Sequence, residues 1–129
     1  MEEKYNESTI NRPEGDRPVN APFVLIDIPT FIDQIKSEKA WDENDRNAIT
    51  VFKGGKLRIV IVALHKNAEM STEHPENIIS IQIIKGKIKV HTSQETTVVE
   101  KEQLFVLHEH IAYKIEAVKK AVFLLTVVE

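Results

Sequence analysis

Cysteine is absent from this sequence of 129 residues, and glycine is scarce, with only four residues. Without cysteine there are no disulfides, thiolate zinc sites, iron–sulfur clusters or cysteine nucleophiles, so a metal would need His, Asp or Glu ligands. So few glycines leave little capacity for phosphate-cradling loops, and neither a nucleophile elbow nor a zinc-peptidase motif occurs. These absences exclude several large classes of enzyme.

Long apolar runs are absent as well. No stretch approaches the about 20 apolar residues that span a bilayer. The first residues, MEEKYNESTI, have neither the basic start nor the apolar run of a secretion signal. We therefore expect a cytoplasmic protein with no membrane partner.

Charge of one sign is not concentrated anywhere in the chain. The 17 basic and 20 acidic residues give a formal net charge of −3, and the basic residues are scattered. A nucleic acid partner is therefore not expected. Lys53, Lys56 and Arg58 cluster around a predicted turn, and we interpret them as exposed charges that keep a hairpin soluble.

Composition divides the chain into an arm and one domain. Residues 1–22 hold three of the five prolines and few large apolar side chains, which predicts a flexible arm or a segment that drapes over a partner subunit. Residues 23–129 are predicted to form a single domain. This domain starts with a strand, FVLIDI, followed by one short helix in which Phe31, Ile32 and Ile35 share a face.

The rest of the chain has the pattern of short β-strands. Gly54-Gly55 and Lys85-Gly86 are each predicted to close a tight hairpin, and Ser93-Gln94 lies in a further polar turn. Seven or more short strands rich in Val and Ile indicate an all-β sandwich or barrel. The predicted strands are NAITVF, KLRIVIVAL, IISIQII, KIKVHT, ETTVVE, LFVL, AYKIEA and AVFLLTVV.

Four segments carry a resemblance to a known family. They are WDENDRNAIT, then EMSTEH leading into ISIQIIKGKI, then LFVLHEHIAY, and finally AVFLLTV. Their order and spacing, over roughly two thirds of the chain, resemble a small single-domain cupin. The resemblance implies a double-stranded β-helix, which is a jelly-roll barrel, with one short N-terminal helix. It also implies a homodimer, in which the N-terminal strand adds to the partner's sheet.

Cupins bind a divalent metal through two motifs, and this sequence keeps their spacing but few of their ligands. If the first motif is anchored on Gly86, its two His positions fall on Thr72 and His74 and its Glu position falls on Ile79. The His position of the second motif falls on Tyr113. The resemblance thus implies the cupin fold, but His74 is the one residue at these positions that matches a ligand of the family. We therefore expect no metal cofactor.

Strand alternation gives an independent check on the metal. Positions 79, 81 and 83 are all isoleucine and share one face of a strand. If this face lines the barrel, the interior there is hydrocarbon, which offers no ligand to a divalent cation. By the same alternation, Tyr113, Ile115 and Ala117 face inward on a later strand.

His74 and Tyr113 are the leading candidates for ligand-binding residues. His74 lies in a loop toward the barrel mouth, either as a contact to a bound molecule or as a partly exposed loop histidine. Tyr113 either aims its hydroxyl into a pocket with His74, or is a buried tyrosine with one hydrogen-bond partner. We therefore expect a metal-free barrel that binds or senses a small molecule, oriented by these two residues.

Two alternative functions remain open. The first is a metal-dependent cupin enzyme, of oxygenase or isomerase type, with a site rebuilt from His74, Glu76 and either His108 or His110. In the other interpretation of these last two residues, they lie in a solvated turn. The second alternative is a purely structural barrel that serves only to dimerise.

Three further residues are interpreted as structural. Trp41, the sole tryptophan, is expected to pack the helix against the barrel rather than to stack on a ligand. His65 and His91 lie at predicted strand ends without a local partner, and we interpret both as surface residues.

Overall fold

The computed structural model describes residues 22–72 and 75–129. Apart from Pro22, the predicted arm over residues 1–22 lies outside the described residues. No helix within the described ranges has the length and hydropathy needed to cross a membrane. The helices are α1 (Ile28–Ser37) and α2 (Lys39–Glu43), and the strands are β1 (Arg46–Gly54), β2 (Leu57–Leu64), β3 (Glu69–Ser71), β4 (Ile78–Lys85), β5 (Lys87–His91), β6 (Thr96–Glu100), β7 (Leu104–Leu107), β8 (Lys114–Ala117) and β9 (Ala121–Val128).

The strands form two antiparallel sheets that face each other. One sheet has five strands in the order β1-β2-β9-β4-β7, and the other has four strands in the order β3-β8-β5-β6. The chain passes from one sheet to the other several times, which is typical of a jelly roll. The predicted all-β jelly roll is therefore confirmed, and the three-residue strand β3 is the one element of the sheets that was not predicted.

The main core lies between the two sheets. On β4, Ile79, Ile81 and Ile83 are at most 4% exposed, and Ile115 and Ala117 are fully buried on β8. The prediction that these positions face inward is confirmed. The barrel interior next to β4 is therefore hydrocarbon, as the alternation indicated.

A second core lies on the outer face of the five-stranded sheet, where the helices cover β1 and β2. Ile32 and Ile35 are buried on one face of α1 and pack with Ile49 and Ile61 of the sheet. Trp41 in α2 is 6% exposed in the same cluster. The structural interpretation of Trp41 is therefore confirmed.

The predicted single helix is two helices, because the chain becomes extended at Glu38, with φ −80° and ψ 146°. The buried side chain of Asn47 explains the break, since its Nδ2 donates to both Glu38 Oε1 and the carbonyl of Ile35, each at 3.0 Å. These bonds satisfy polar groups that the helix end would otherwise leave buried without partners.

The predicted strand FVLIDI does not form within the single chain, and its addition to a partner's sheet stays a prediction. Residues 23–27 have no regular structure, α1 begins at Ile28, and Phe23 and Leu25 are 88% and 95% exposed. A strand is stable only when a neighbour completes its hydrogen-bond ladder. No strand among the described residues pairs with this segment.

The glycine turns differ from each other. Gly55 has a φ of 57° and closes the predicted β1–β2 hairpin, and the turn at Ser93-Gln94 joins the paired strands β5 and β6. The hairpin predicted at Lys85-Gly86 is wrong, because β4 and β5 lie in different sheets. Gly86 has a φ of 84° and lies against the carbonyl of Lys120, so it marks the point where the chain crosses between sheets.

Candidate functional site

A cavity of about 670 Å³ opens at one end of the barrel, and we call it the mouth cavity. The strand register explains its position. Arg58 in β2 and Ile79 in β4 both pair with Val127 in β9, so the three residues form one row across the five-stranded sheet. Tyr113, the residue before β8, lines the same cavity. The described residues that line the mouth cavity are Arg58, Ser71, Thr72, Glu76, Asn77, Ile79, Tyr113, Leu125, Val127 and Glu129.

Arg58 brings a positive charge into the mouth cavity. Arg58 is in phase with Val60 and Val62 on β2. Val62 belongs to the main core and Val60 packs against it, so the side chain of Arg58 points inward. Its Nε is buried and has no hydrogen-bond partner among the described residues. None of the ion pairs between those residues involves Arg58. The interpretation as an exposed hairpin charge holds for Lys53 and Lys56 but is wrong for Arg58.

Tyr113 lines the mouth cavity and is partly buried. Burial raises the pKa of its hydroxyl, and a hydrogen bond to the side chain of Thr72 and the positive charge of Arg58 act in the opposite direction. The backbone N–H of Thr72 also donates to the carbonyl of Tyr113, at 3.2 Å. Thr72 thus contacts both the side chain and the backbone of Tyr113, and the hydroxyl lies close enough to Arg58 for that charge to lower its pKa.

His74, the other predicted binding residue, lies outside the described residues. Its role at the site therefore stays a prediction. Thr72 and Glu76, two positions before and after it, both line the mouth cavity.

The alternative metal site includes His74, which lies outside the described residues, so this site stays a prediction. Glu76 lines the mouth cavity, whereas His110 lines a second cavity of about 480 Å³. His108 is exposed. The backbone N–H of His110 donates to the carbonyl of Pro75, with His110 at a φ of 68°. No group of three or more His, Asp or Glu residues that could hold a metal occurs within residues 22–72 and 75–129.

The described lining of the mouth cavity does not keep the metal-ligand set of the cupins, although Glu76 and Glu129 provide two exposed carboxylates. It contains no imidazole, and the position that resemblance assigns to a Glu ligand is the buried Ile79. The guanidinium of Arg58 carries a fixed positive charge that repels a cation in the same cavity. The charge and the hydrocarbon floor instead suit an organic molecule or an anion.

The two remaining histidines are not isolated. His65 stacks on Trp41 with 3.6 Å between ring centroids, and its Nε2 is hydrogen-bonded to the carbonyl of Trp41 at 2.7 Å. His91 is hydrogen-bonded to Thr96 and forms an ion pair of 3.0 Å with Glu116. Both partners come from other segments, which is why local sequence did not reveal them. Both residues are partly exposed, and each has a partner from a distant segment that the interpretation as surface residues did not include.

Comparison with models of protein families and with curated protein sequences gives no match. Solved structures do match. A conserved protein of unknown function from Streptococcus pyogenes is 25% identical, with a TM-score of 0.60 over 67% of this chain and 76% of that one. An RmlC-like cupin from Shewanella frigidimarina is 13% identical, with a TM-score of 0.60 over 65% and 76% of the two chains.

A salicylate 1,2-dioxygenase from Pseudaminobacter salicylatoxidans is 22% identical, with a TM-score of 0.67 over 77% of this chain and 33% of that larger one. The neighbours thus include enzymes and proteins of unknown function that share one architecture. The chain has the fold of the RmlC-like cupins, and the resemblance stated from the sequence is confirmed.

Proposed function

We propose that this cupin binds a small organic molecule in the mouth cavity and does so without a metal. The observation that carries the proposal is the cavity itself, about 670 Å³ in volume, with an apolar floor and polar walls at the end of the barrel. Small-molecule sites are concave and largely apolar, with a few polar groups that fix orientation. Arg58 and Tyr113 supply such groups here.

The roles of the polar residues follow from their contacts. Tyr113 offers a neutral hydroxyl, held by Thr72, as a hydrogen-bond donor or acceptor. Arg58 offers the positive charge of its guanidinium, while Ile79 and Leu125 give the bound molecule an apolar surface. His74 is proposed as a second orienting residue beside Tyr113.

The test is a fragment screen on the full chain by ¹⁵N–¹H NMR, using neutral and charged fragments. We expect bound fragments to shift the amide signals of Ile79, Tyr113 and Val127. The variants Tyr113→Phe and His74→Ala are expected to weaken these shifts. A purely structural barrel would show no saturable shifts at the cavity in any variant.

Elemental analysis separates this proposal from the metal-dependent enzyme. The purified, untagged chain is incubated with iron, manganese, nickel or zinc, and loosely bound ions are then removed. We expect less than stoichiometric metal. Stoichiometric metal that is lost in His74→Ala would overturn the proposal and favour the site rebuilt from His74, Glu76 and His108 or His110.

We also propose that a second copy of this chain covers an outer patch formed by Ile78, Leu104, Val106 and Val128. These residues are 38–61% exposed, on the part of the five-stranded sheet that the helices leave uncovered. The register of β4, β7 and β9 makes the patch continuous, and β7 is an edge strand. Apolar patches of this kind mark interaction sites. Sedimentation equilibrium is expected to show a dimer that Val106→Lys weakens, and a monomer at micromolar concentration would contradict it.

A further inference from the structure

The Nε of Arg58 is a buried side-chain donor that the described structure leaves without a hydrogen-bond partner. Buried N–H donors are almost always hydrogen-bonded in folded proteins, because an unmet donor loses its water without replacement. Arg58 also lines the mouth cavity. Nε itself has no surface exposed to the cavity, so an acceptor that enters the cavity reaches it only when the Arg58 side chain shifts toward that acceptor.

The charges around Arg58 narrow the chemistry of that acceptor. Two carboxylates, Glu76 and Glu129, line the same cavity, but both residues are exposed. Water screens exposed charges, whereas the partly buried guanidinium acts in a medium of lower dielectric constant. The inner part of the cavity thus favours a single negative charge, and the rim disfavours a second one.

The walls give the remaining constraints. Ile79, Leu125 and Val127 form a hydrocarbon floor beside Arg58, which suits a compact apolar body. A guanidinium donates through Nε and an adjacent Nη in a planar fork that matches the two oxygens of a carboxylate. The Tyr113 hydroxyl, tied to Thr72, faces the same space.

We infer that the molecule bound in the mouth cavity is a small monocarboxylate, whose carboxylate pairs with Arg58 and whose apolar part rests on Ile79 and Val127. This inference rests on the proposed function and names its ligand class. It sets the cavity apart from a cation site, since the partly buried charge among the described lining residues is the positive charge of Arg58, whereas Glu76 and Glu129 are exposed.

The test compares each acid with its neutral amide on the full chain, by NMR titration in a low-salt buffer free of carboxylates. The probes are benzoate with benzamide and lactate with lactamide. We expect each acid to bind about tenfold or more tightly than its amide. Arg58→Gln is expected to abolish that difference, and Lys53→Gln, an exposed position directly opposite Arg58 on β1, is expected to keep it.

The outcomes separate the inference from the proposed function. If acids and amides shift the cavity signals equally, the monocarboxylate inference fails and the binding function stands. If no probe shifts them, both fail. Tighter binding of succinate or inorganic phosphate than of benzoate would overturn the preference for one negative charge. The comparison of acid with amide needs no variant, so it holds even if Arg58→Gln does not fold.

Discussion

Arg58→Met is expected to stabilise the protein while it removes the proposed carboxylate contact. The methionine side chain keeps most of the apolar stem that lies beside Val60 and Val127, and it removes the buried Nε that has no partner. An unsatisfied buried donor costs about 1–3 kcal/mol. Because Arg58 is only partly buried, we expect the gain to be at the low end, about 1 kcal/mol. Binding sites often carry such a cost in stability.

Urea denaturation, followed by circular dichroism, measures this gain. Arg58→Met is expected to raise the midpoint without a change in slope, and to raise the melting temperature by about 3–5 °C. The matched control is Lys53→Met, an exposed partner of Arg58 across the β1–β2 hairpin, for which we expect a change below about 0.5 kcal/mol. Equal or lower stability in Arg58→Met, with the control unchanged, would refute the claim that Nε is unsatisfied.

Two further predictions concern the turn glycines and the ion pair on the four-stranded sheet. Gly86→Asn is expected to cost about 2 kcal/mol or more in urea denaturation, because its Cβ would collide with the backbone of Lys120. Gly55 is also at positive φ but lies in open space, so Gly55→Asn is expected to cost less than about 1 kcal/mol. Equal losses of unfolding free energy in the two variants would contradict the steric reason. His91→Phe is expected to raise the pKa of Glu116 toward its ordinary value of 4.5, because the hydrogen bond from His91 is the main cause that lowers it. A lowered carboxyl pKa adds stability that is lost as the pH falls through the folded pKa. The wild type should therefore lose more stability than His91→Phe below about pH 4.5. Identical acid unfolding of the two proteins would argue against the hydrogen bond between His91 and Glu116.

Strand alternation is the part of the sequence that carried most of the correct predictions. A period of two residues is local, so it identified the buried face of Ile79, Ile81 and Ile83 and the inward direction of Tyr113 without knowledge of the partners of either strand. The same pattern also contained Arg58, which is in phase with the inward valines of β2. The signal was overlooked because Arg58 stands close to a turn, where charged residues are usually exposed.

The errors concern pairing between distant segments. Lys85-Gly86 has the composition of a hairpin turn, yet the two strands beside it do not pair with each other. Instead, β4 pairs with β9 in one sheet and β5 pairs with β8 in the other. FVLIDI has the composition of a strand, but composition does not supply a neighbouring strand. Long-range pairing of this kind is not encoded in a local window, and the partners of His65 and His91 were missed for the same reason.

The row formed by Arg58, Val127 and Ile79 allows the charge of the cavity to be tested from inside the protein. Arg58 and Ile79 both pair with Val127, so they lie two strand spacings, about 10 Å, apart. A glutamate at position 79 and the arginine at position 58 can span this distance together. Ile79→Glu would place a carboxylate where the resemblance implies a metal ligand. If the positive charge of Arg58 dominates the cavity, this carboxylate pairs with the guanidinium, and benzoate affinity falls by about tenfold relative to Ile79→Gln. The glutamine variant is the control, because it introduces a polar group of the same size without charge. Acquisition of stoichiometric metal by Ile79→Glu, or equal benzoate affinity in the two variants, would show that Arg58 does not set the ligand preference of the mouth cavity.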